Sequence, residues 1–413
     1  MTPRERVIAA LNHQEPDRVP IDFGSNFCTT VNVIVYNELK RRLGISTPTY
    51  VRNVATMTAA PDLEEGFEML RLMGGDLVCL PRYSIDGLQT MHWKPWLLKD
   101  GSECMVPVDF NPERDESGGW TFLAEGMVEY RMPKDGHYFD PVVYPLDFVQ
   151  SIEELKPLLP LLEASAFFSL PDEELDQIEK RAERLFRETD FALVSDLYFF
   201  SLYQVSLQLF GYEKLYMIMA SEPDFVHYWM DFLTNALDVL ITRYLERVGR
   251  YTTAVLIVDD YGQQNGPQIS PKMFRELFKP CLARICGRIH EIAPDVKVLL
   301  HSCGSVYQFI PDFIEAGVDA LNPIQASARD MDPAVLKREF GEDLVLWGGG
   351  VTAQTTLHHG SVEEIRAEVR YRLDTMKPGG GYVFSVDHDI QENVAPEKIE
   401  AVFRTAQEHR SYS

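Results

Sequence analysis

A histidine and a cysteine stand two residues apart at the end of the apolar run VKVLLHSCG, residues 296–304. Residues two apart in a β-strand point to the same side, so we expect His301 and Cys303 to share one face at the strand end. Imidazole nitrogen and thiolate sulfur are favoured zinc ligands, and a catalytic zinc usually has three protein ligands and one open position. The alternative interpretation is a hydrogen-bonded core histidine beside a small buried cysteine.

A third ligand is needed, and the run GYVFSVDHD, residues 381–389, offers His388 near its end. The inward-facing ends of strands converge in a barrel, so His388 could complete a set of two nitrogens and one sulfur. Asp260 and Asp387 are alternatives, either as ligands or as groups that orient an imidazole.

Other polar residues also gather where apolar runs end, and they are candidates for contact with a ligand. Asp259 and Asp260 follow AVLIV, and because neighbours on a strand face opposite ways, only one can point inward. We expect this to be Asp260, as a catalytic carboxylate, metal ligand or substrate clamp, and we take Asp22 as a second catalytic candidate. A salt-bridged or helix-capping aspartate is the alternative for Asp260. The candidate substrate-binding residues are Arg82, Asp196, Gln263, Asn322 and Gln325.

The secondary-structure elements that position these residues can be predicted from a recurring pattern. Short apolar runs are each followed by an amphipathic stretch. Eight runs are candidate strands, and their near-continuous hydrophobicity is typical of parallel strands buried on both faces. Eight strand–helix units predict a closed (β/α)8 barrel, in which the carboxyl ends of the strands face the active site. A doubly wound open sheet is the alternative fold. The runs are 19–24, 76–81, 191–198, 254–262, 296–304, 319–325, 343–350 and 381–389.

About a hundred residues between the second and third runs break this rhythm. The turn signals KDG and ESGG, set among aromatic and β-branched residues, predict hairpins in an insertion at about 84–150. Helical periodicity returns in SIEELKPLLPLLE and PDEELDQIEKRAERLF. We expect a single barrel domain over 1–413, with a β-rich insertion on its catalytic face.

Composition restricts the classes of partner. The formal charge of −24 argues against nucleic acid and against an anionic membrane surface. No apolar run approaches the roughly 20 residues that span a bilayer, and the scattered cysteines indicate reduced thiols, so we expect a cytoplasmic protein. The sequence leaves a homodimer open.

Several segments together resemble the uroporphyrinogen decarboxylase superfamily. They are RERVIAALNHQEPDRVPIDFG, DDYGQQNGPQISPKMFRELFKP, LLHSCGSVYQFIPDFIEAGVDALNPIQ, LWGGGVTAQ and VFSVDHDIQENVAPEKIEA. The resemblance implies a (β/α)8 barrel with its site at the carboxyl ends of the strands. True uroporphyrinogen decarboxylases carry an arginine-bearing segment after the first strand, whereas DFGSNFCTTVN has no arginine.

The sequence is more similar to the zinc-dependent methyltransferase branch, which carries an HxC at the fifth strand and a third ligand, usually cysteine, at the eighth. His301 and Cys303 match the first part, and His388 stands in the third position. This resemblance implies Zn²⁺, a corrinoid carried by a partner protein, and a small methylated substrate or thiol. The alternatives are a metal-free decarboxylase of a carboxylated substrate and a non-catalytic barrel that binds a tetrapyrrole or corrinoid.

Overall fold

The computed structural model describes residues 1–81, 84–85, 88–89, 92–124, 128–136, 138–165, 168–196 and 201–412. Its centre is a sheet of seven parallel strands, each of which lies within one of the predicted runs. This confirms the predicted α/β barrel. The strands, in their order across the sheet, are Tyr382–Val383, Val345–Trp347, Ala320–Asn322, Lys297–His301, Ala254–Val258, Ala192–Asp196 and Leu77–Pro81.

The first predicted run closes the barrel, although it forms an isolated bridge and not a strand. Ile21 pairs in parallel with Phe384 of the last run. On its other side, the Ile21 carbonyl accepts a 2.8 Å hydrogen bond from the Asp76 N–H, just before the strand Leu77–Pro81. The segment therefore connects the two outer strands of the sheet.

Alternating residues of the strands divide between two hydrophobic cores. Leu256 and Val258 face the barrel interior, together with residues such as Leu299 and Trp347. Val255 and Ile257 face the larger core beneath the surrounding helices. Burial on both faces explains why the runs are almost continuously apolar.

Helices follow the strands and cover the barrel. A further helix, Pro3–Leu11, precedes the first barrel segment, and Thr2 and Glu5 form a reciprocal capping box at its start. The α-helices are Pro3–Leu11, Val33–Leu43, Glu68–Leu72, Ile152–Leu155, Leu159–Ala164, Asp172–Glu188, Tyr203–Phe210, Tyr212–Ser221, Pro223–Val248, Pro271–Met273, Lys279–Ile292, Ile310–Glu315, Pro333–Phe340, Val362–Met376 and Pro396–His409.

The insertion after the strand Leu77–Pro81 is rich in β-structure, as predicted. Its hairpins turn at the predicted KDG and ESGG signals. Helical structure resumes at Ile152.

The short strands outside the barrel sheet lie both within the insertion and elsewhere in the chain. They are Val51–Asn53, Thr58–Ala59, Ser84–Ile85, Leu88–Gln89, Trp93–Leu97, Glu103–Pro107, Glu113–Arg114, Trp120–Ala124, Val128–Met132, Asp140–Val143, Gly262–Gln263 and Gly266–Pro267.

None of the helices in the described ranges combines the length and the apolar character needed to cross a membrane.

Candidate metal centre

Two thiols converge on one imidazole nitrogen at the carboxyl end of the strand Lys297–His301. The Nε2 atom of His301 lies 3.2 Å from Cys303 Sγ and 3.5 Å from Cys28 Sγ. His301 and Cys28 are buried, whereas Cys303 is half-buried. The arrangement brings together the two residues of the predicted HxC pair and adds a cysteine from the first barrel segment.

Hydrogen bonds fix the orientation of the His301 ring. Its Nδ1–H donates to Asn322 Oδ1 at 2.7 Å, and the Asn322 amide in turn donates to the Trp347 carbonyl at 3.2 Å. Because the amide nitrogen is held by a carbonyl, the amide oxygen must face the imidazole. The Nε2 atom therefore faces the two sulfur atoms, as in histidine ligands that are oriented by an outer partner.

Cys28 is the functional candidate that the sequence analysis missed. It lies in the short 3₁₀ helix Phe27–Thr29, where the Asn26 side chain accepts a hydrogen bond from the Cys28 N–H at 2.9 Å. The signal was present in DFGSNFCTTVN, a cysteine in the loop at the carboxyl end of the first barrel segment. Loops at that end of a barrel meet at the active-site face.

His388 and Asp260 approach the same centre from two sides. One possible ligand set is Cys28, His301 and His388, and a second is Asp260, His301 and Cys303; within each set the ligand atoms lie within 4.8 Å of one another. His388 Nδ1 contacts Asp389, which leaves Nε2 as its available nitrogen. Asp260 Oδ1 lies 3.8 Å from His301 Nε2 and accepts a 2.8 Å hydrogen bond from the Cys303 N–H.

The candidate ligands influence one another's protonation. Burial would lower the pKa of His301, but the neighbouring Cys303 thiolate and Asp260 raise it to about 9. Burial and Asp260 act to raise the pKa of Cys303, yet the imidazoles of His301 and His388 bring it below its ordinary value. Burial raises the pKa of Cys28 well above its ordinary value. The imidazoles thus favour the thiolate form of Cys303, and that thiolate in turn favours the protonated form of His301.

Asp259, the neighbour of Asp260, has a structural position. Its carboxylate accepts hydrogen bonds from the backbone N–H groups of Leu202, Tyr203 and Gln204, at the start of the helix Tyr203–Phe210. It also accepts from the Tyr261 hydroxyl at 3.0 Å. Asp260, in contrast, lies beside His301 and the Cys303 backbone.

Two other predicted carboxylates are buried away from solvent. Asp22 accepts hydrogen bonds from the Ser25 N–H, the Ser25 hydroxyl and the Trp347 indole, each at 2.8 Å, and it ties the closing segment to the barrel. Asp387 accepts a 2.7 Å bond from the Ala353 N–H. Both carboxylates thus link segments of the barrel, and the catalytic role predicted for Asp22 stays a prediction.

The predicted substrate-binding residues have different surroundings. Asp196 is buried, and the backbone N–H of Phe27 and the positive charge of Arg52 both act on its carboxylate. Burial raises the pKa of Asp196 to about 6. Gln325 accepts a 2.7 Å bond from the Gly304 N–H, and Gln263 is exposed. Asn322 orients His301, and Arg82 lies outside the described residues.

A cavity of about 570 Å³ opens beside the thiol–imidazole cluster, which consists of Cys28, His301 and Cys303. The residues that line it include Cys303, Gln325, His358, His359 and His388. A volume of this size is typical of small-molecule sites. The cluster is thus accessible to a ligand through Cys303 and His388.

Comparisons with known proteins agree with this architecture. A family model described as Uroporphyrinogen decarboxylase (URO-D) matches residues 203–409, half of the chain. The uroporphyrinogen decarboxylase of Shewanella loihica is 26% identical over 200 residues, which cover 48% of this chain and 52% of that protein. The enzyme of the same name from Thioalkalivibrio sulfidiphilus is 25% identical over 192 residues, 45% of this chain and 49% of that one. The chain thus matches about half the length of these curated relatives.

A solved structure shares the fold over the whole chain. The methyltransferase from Methanosarcina mazei superimposes with a TM-score of 0.60, at 17% identity, and the match covers 99% of both chains. The fold, the polar strand ends and the matched family model agree, and the chain belongs to the uroporphyrinogen decarboxylase family.

Proposed function

We propose that this protein is a zinc-dependent methyltransferase that moves a methyl group between a small methylated substrate or thiol and a corrinoid protein. The observation that carries the proposal is the convergence of Cys28 and Cys303 on the Nε2 atom of His301. Mixed sulfur and nitrogen ligands are characteristic of zinc sites.

The two nitrogen–sulfur distances fit the size of a zinc site. With Zn–N of about 2.0 Å and Zn–S of about 2.3 Å, a tetrahedral site separates nitrogen and sulfur ligands by about 3.5 Å. The two N···S distances are 3.2 Å and 3.5 Å. Two sets have ligand atoms that all lie within 4.8 Å of one another and would hold the ion: Cys28, His301 and His388, or Asp260, His301 and Cys303.

A bound zinc ion would act as a Lewis acid that lowers the pKa of a thiol or polarises a methyl ether or amine. The protein's own groups would prepare the site for it. Asn322 holds the His301 ring with Nε2 facing the sulfurs, and Asp260 positions the Cys303 backbone. Burial of Cys28 and His301 keeps water from that side of the cluster.

Uroporphyrinogen decarboxylation is the second candidate, because the curated relatives carry that name. A substrate with several carboxylates needs cationic partners, yet the groups around the cluster include the carboxylates of Asp196, Asp260 and Asp389. Arg52, whose positive charge reaches Asp196, is buried and paired with Asp62. The charge distribution therefore favours the methyltransferase.

Turnover of a free corrinoid tests the proposed function. Purified protein loaded with zinc is mixed with methylcobalamin and a panel of simple thiols, and demethylation is followed by absorbance. We expect thiol-dependent demethylation that Cys303→Ser abolishes and that Cys281→Ser, a change at a half-buried helix cysteine, leaves intact. Release of carbon dioxide from uroporphyrinogen by metal-free protein, without methyl transfer, would instead establish the decarboxylase.

A further inference from the structure

A second cavity, of about 360 Å³, lies where the β-rich insertion meets the barrel. Residues of the insertion line one side, and the helix Tyr203–Phe210 contributes to the other. Its lining is rich in aromatic side chains, namely Phe27, Tyr130, Tyr138, Phe139, Tyr144 and Tyr212.

This aromatic cavity adjoins the candidate metal centre. Phe27 directly precedes Cys28, and its ring centroid lies 6.0 Å from that of His301. Tyr138 lines both the aromatic cavity and the 570 Å³ cavity that contains Cys303 and His388. A ligand in the aromatic cavity would thus be a neighbour of the thiol–imidazole cluster.

The charge around the aromatic cavity is negative. Among the described residues that line it, Asp140 carries a charge and none is a lysine, arginine or histidine. The fields of Asp140 and Asp260 both reach Tyr212, where they add to burial in raising its pKa. The net charge of −24 acts in the same direction. A cation is favoured here, whereas a carboxylate would be repelled.

We propose that the aromatic cavity binds the head group of a methylated ammonium ion, a quaternary or tertiary amine. Aromatic side chains attract such cations through the negative faces of their rings, and a nearby carboxylate adds to this attraction. A neutral aromatic ether would pack against the same rings but would gain nothing from Asp140. The volume lies at the lower end of the range for small-molecule sites and suits a compact head group.

The inference rests on the proposed function, for which it supplies the class of methyl donor. In the transfer, the C–N bond breaks and its electron pair stays on nitrogen, which leaves a neutral amine when the donor is quaternary. The methyl carbon forms its new bond to the nucleophilic acceptor, a thiolate or the cobalt(I) of the partner's corrinoid. No oxidant or reductant is consumed in this step.

A pair of isosteres tests the charge preference. Choline and 3,3-dimethyl-1-butanol have the same shape, but only choline is charged. Calorimetric titration of the full-length protein should show choline binding at least about tenfold more tightly, as expected for a desolvated cation–aromatic contact. Equal affinity for both probes, or tighter binding of the alcohol, would overturn the proposal.

Substitutions in the lining test whether choline binds in the aromatic cavity. Tyr212→Leu should weaken choline binding about fivefold to thirtyfold, whereas Tyr212→Phe keeps the ring and should retain it. Asp140→Asn should weaken it by up to about fivefold. Tyr371→Leu, at an exposed tyrosine of the helix Val362–Met376, is the matched control. An effect of Tyr371→Leu as large as that of Tyr212→Leu would contradict the assignment.

Cys303→Ser separates this inference from the proposed function. The variant removes a candidate metal ligand but leaves the residues of the aromatic cavity in place. Choline should bind it as tightly as it binds the wild type, even if no methyl transfer is found with either protein. Loss of choline binding in Cys303→Ser would place the cation elsewhere and overturn the inference.

Discussion

The protonation of the candidate ligands determines how the centre responds to pH. His301, with its pKa raised to about 9, and Cys28, with a pKa well above the ordinary value, both hold protons at neutral pH. A metal ion binds the neutral imidazole and the thiolate, so these protons must leave when it binds. Cys303 is different, because the imidazoles already favour its thiolate.

Zinc binding is therefore expected to release at least two protons and to strengthen by about a hundredfold per pH unit between pH 6.5 and 8.5. Calorimetry in buffers of different ionisation enthalpy counts the released protons. Cys28→Ser should release one proton fewer and should bind zinc on the order of a hundredfold more weakly, because a ligand is lost. A binding enthalpy that does not change with the buffer would contradict this prediction.

Asn322 is expected to act on the metal through the orientation of His301. Asn322→Ala should weaken zinc binding about tenfold to a hundredfold while the protein stays folded, because the Nδ1–H loses its acceptor. Competition with a chromogenic chelator measures the affinity. Asn322→Asp keeps an acceptor oxygen and should restore much of the binding. An alanine variant with wild-type affinity would show that the imidazole is held by other contacts.

Part of the centre could be predicted from residue spacing. The two-residue period of a strand places His301 and Cys303 on one face, and the structure brings them together. The position of Cys28 depends on the path of a loop, which no periodicity describes. The structural position of Asp22 likewise depends on Ser25 and on Trp347, which is 325 residues away in the chain.

At the scale of elements, Asp259 links the strand Ala254–Val258 to the start of the helix Tyr203–Phe210. One buried carboxylate accepts several N–H groups that a helix start leaves without partners. The alternation of strand faces predicted that one of Asp259 and Asp260 points inward. It could not predict that the other would cap a helix more than fifty residues earlier in the chain.

Replacing Asp259 tests this capping contact. Asp259→Asn should lower the free energy of unfolding by about 2–4 kcal/mol, because the amide offers one oxygen to a group of buried donors. Chemical denaturation followed by circular dichroism measures the change. Asp224→Asn, in the exposed first turn of the helix Pro223–Val248, should change stability by less than about 0.5 kcal/mol. Equal effects of the two substitutions would contradict the assignment.

At the scale of the whole molecule, Asp76 joins the two ends of the chain across the closure of the barrel. Its carboxylate contacts Arg6 at 2.5 Å and Arg410 at 3.0 Å, and it accepts a 2.9 Å bond from the Ile21 N–H. The N-terminal helix, the closing segment and the C-terminal residues thus share one buried anion. The lengths and periodicity of the apolar runs predict eight strand–helix units. They cannot predict the ion pairs of Asp76, because its partners are distant in the sequence.

Removing the anion should destabilise the barrel strongly. Asp76→Ala leaves Arg6 and Arg410 buried without it, and we expect a loss of about 3–5 kcal/mol in the free energy of unfolding. Denaturant titration measures this loss. Asp172→Ala breaks an exposed ion pair with Arg243 and should cost less than about 1 kcal/mol. If Asp76→Ala lowered the free energy of unfolding as little as Asp172→Ala does, closure of the barrel would not depend on the Asp76 carboxylate.

The β-rich character of the insertion follows from its turn signals, but its relation to the site does not. Tyr138 and Tyr144 belong to a segment whose pattern predicts only hairpins, and the structure places both in the lining of the aromatic cavity. Contacts between an insertion and a barrel depend on their packing in three dimensions. The single-domain organisation over residues 1–413 stays a prediction.

The metal content of the purified protein tests the central claim most directly. We predict about one zinc ion per chain, with X-ray absorption that shows mixed nitrogen and sulfur coordination, and the loss of this ion in a Cys28→Ser, Cys303→Ser double variant that remains folded. A protein that binds no zinc after reconstitution, or that binds it through oxygen ligands alone, would contradict the account.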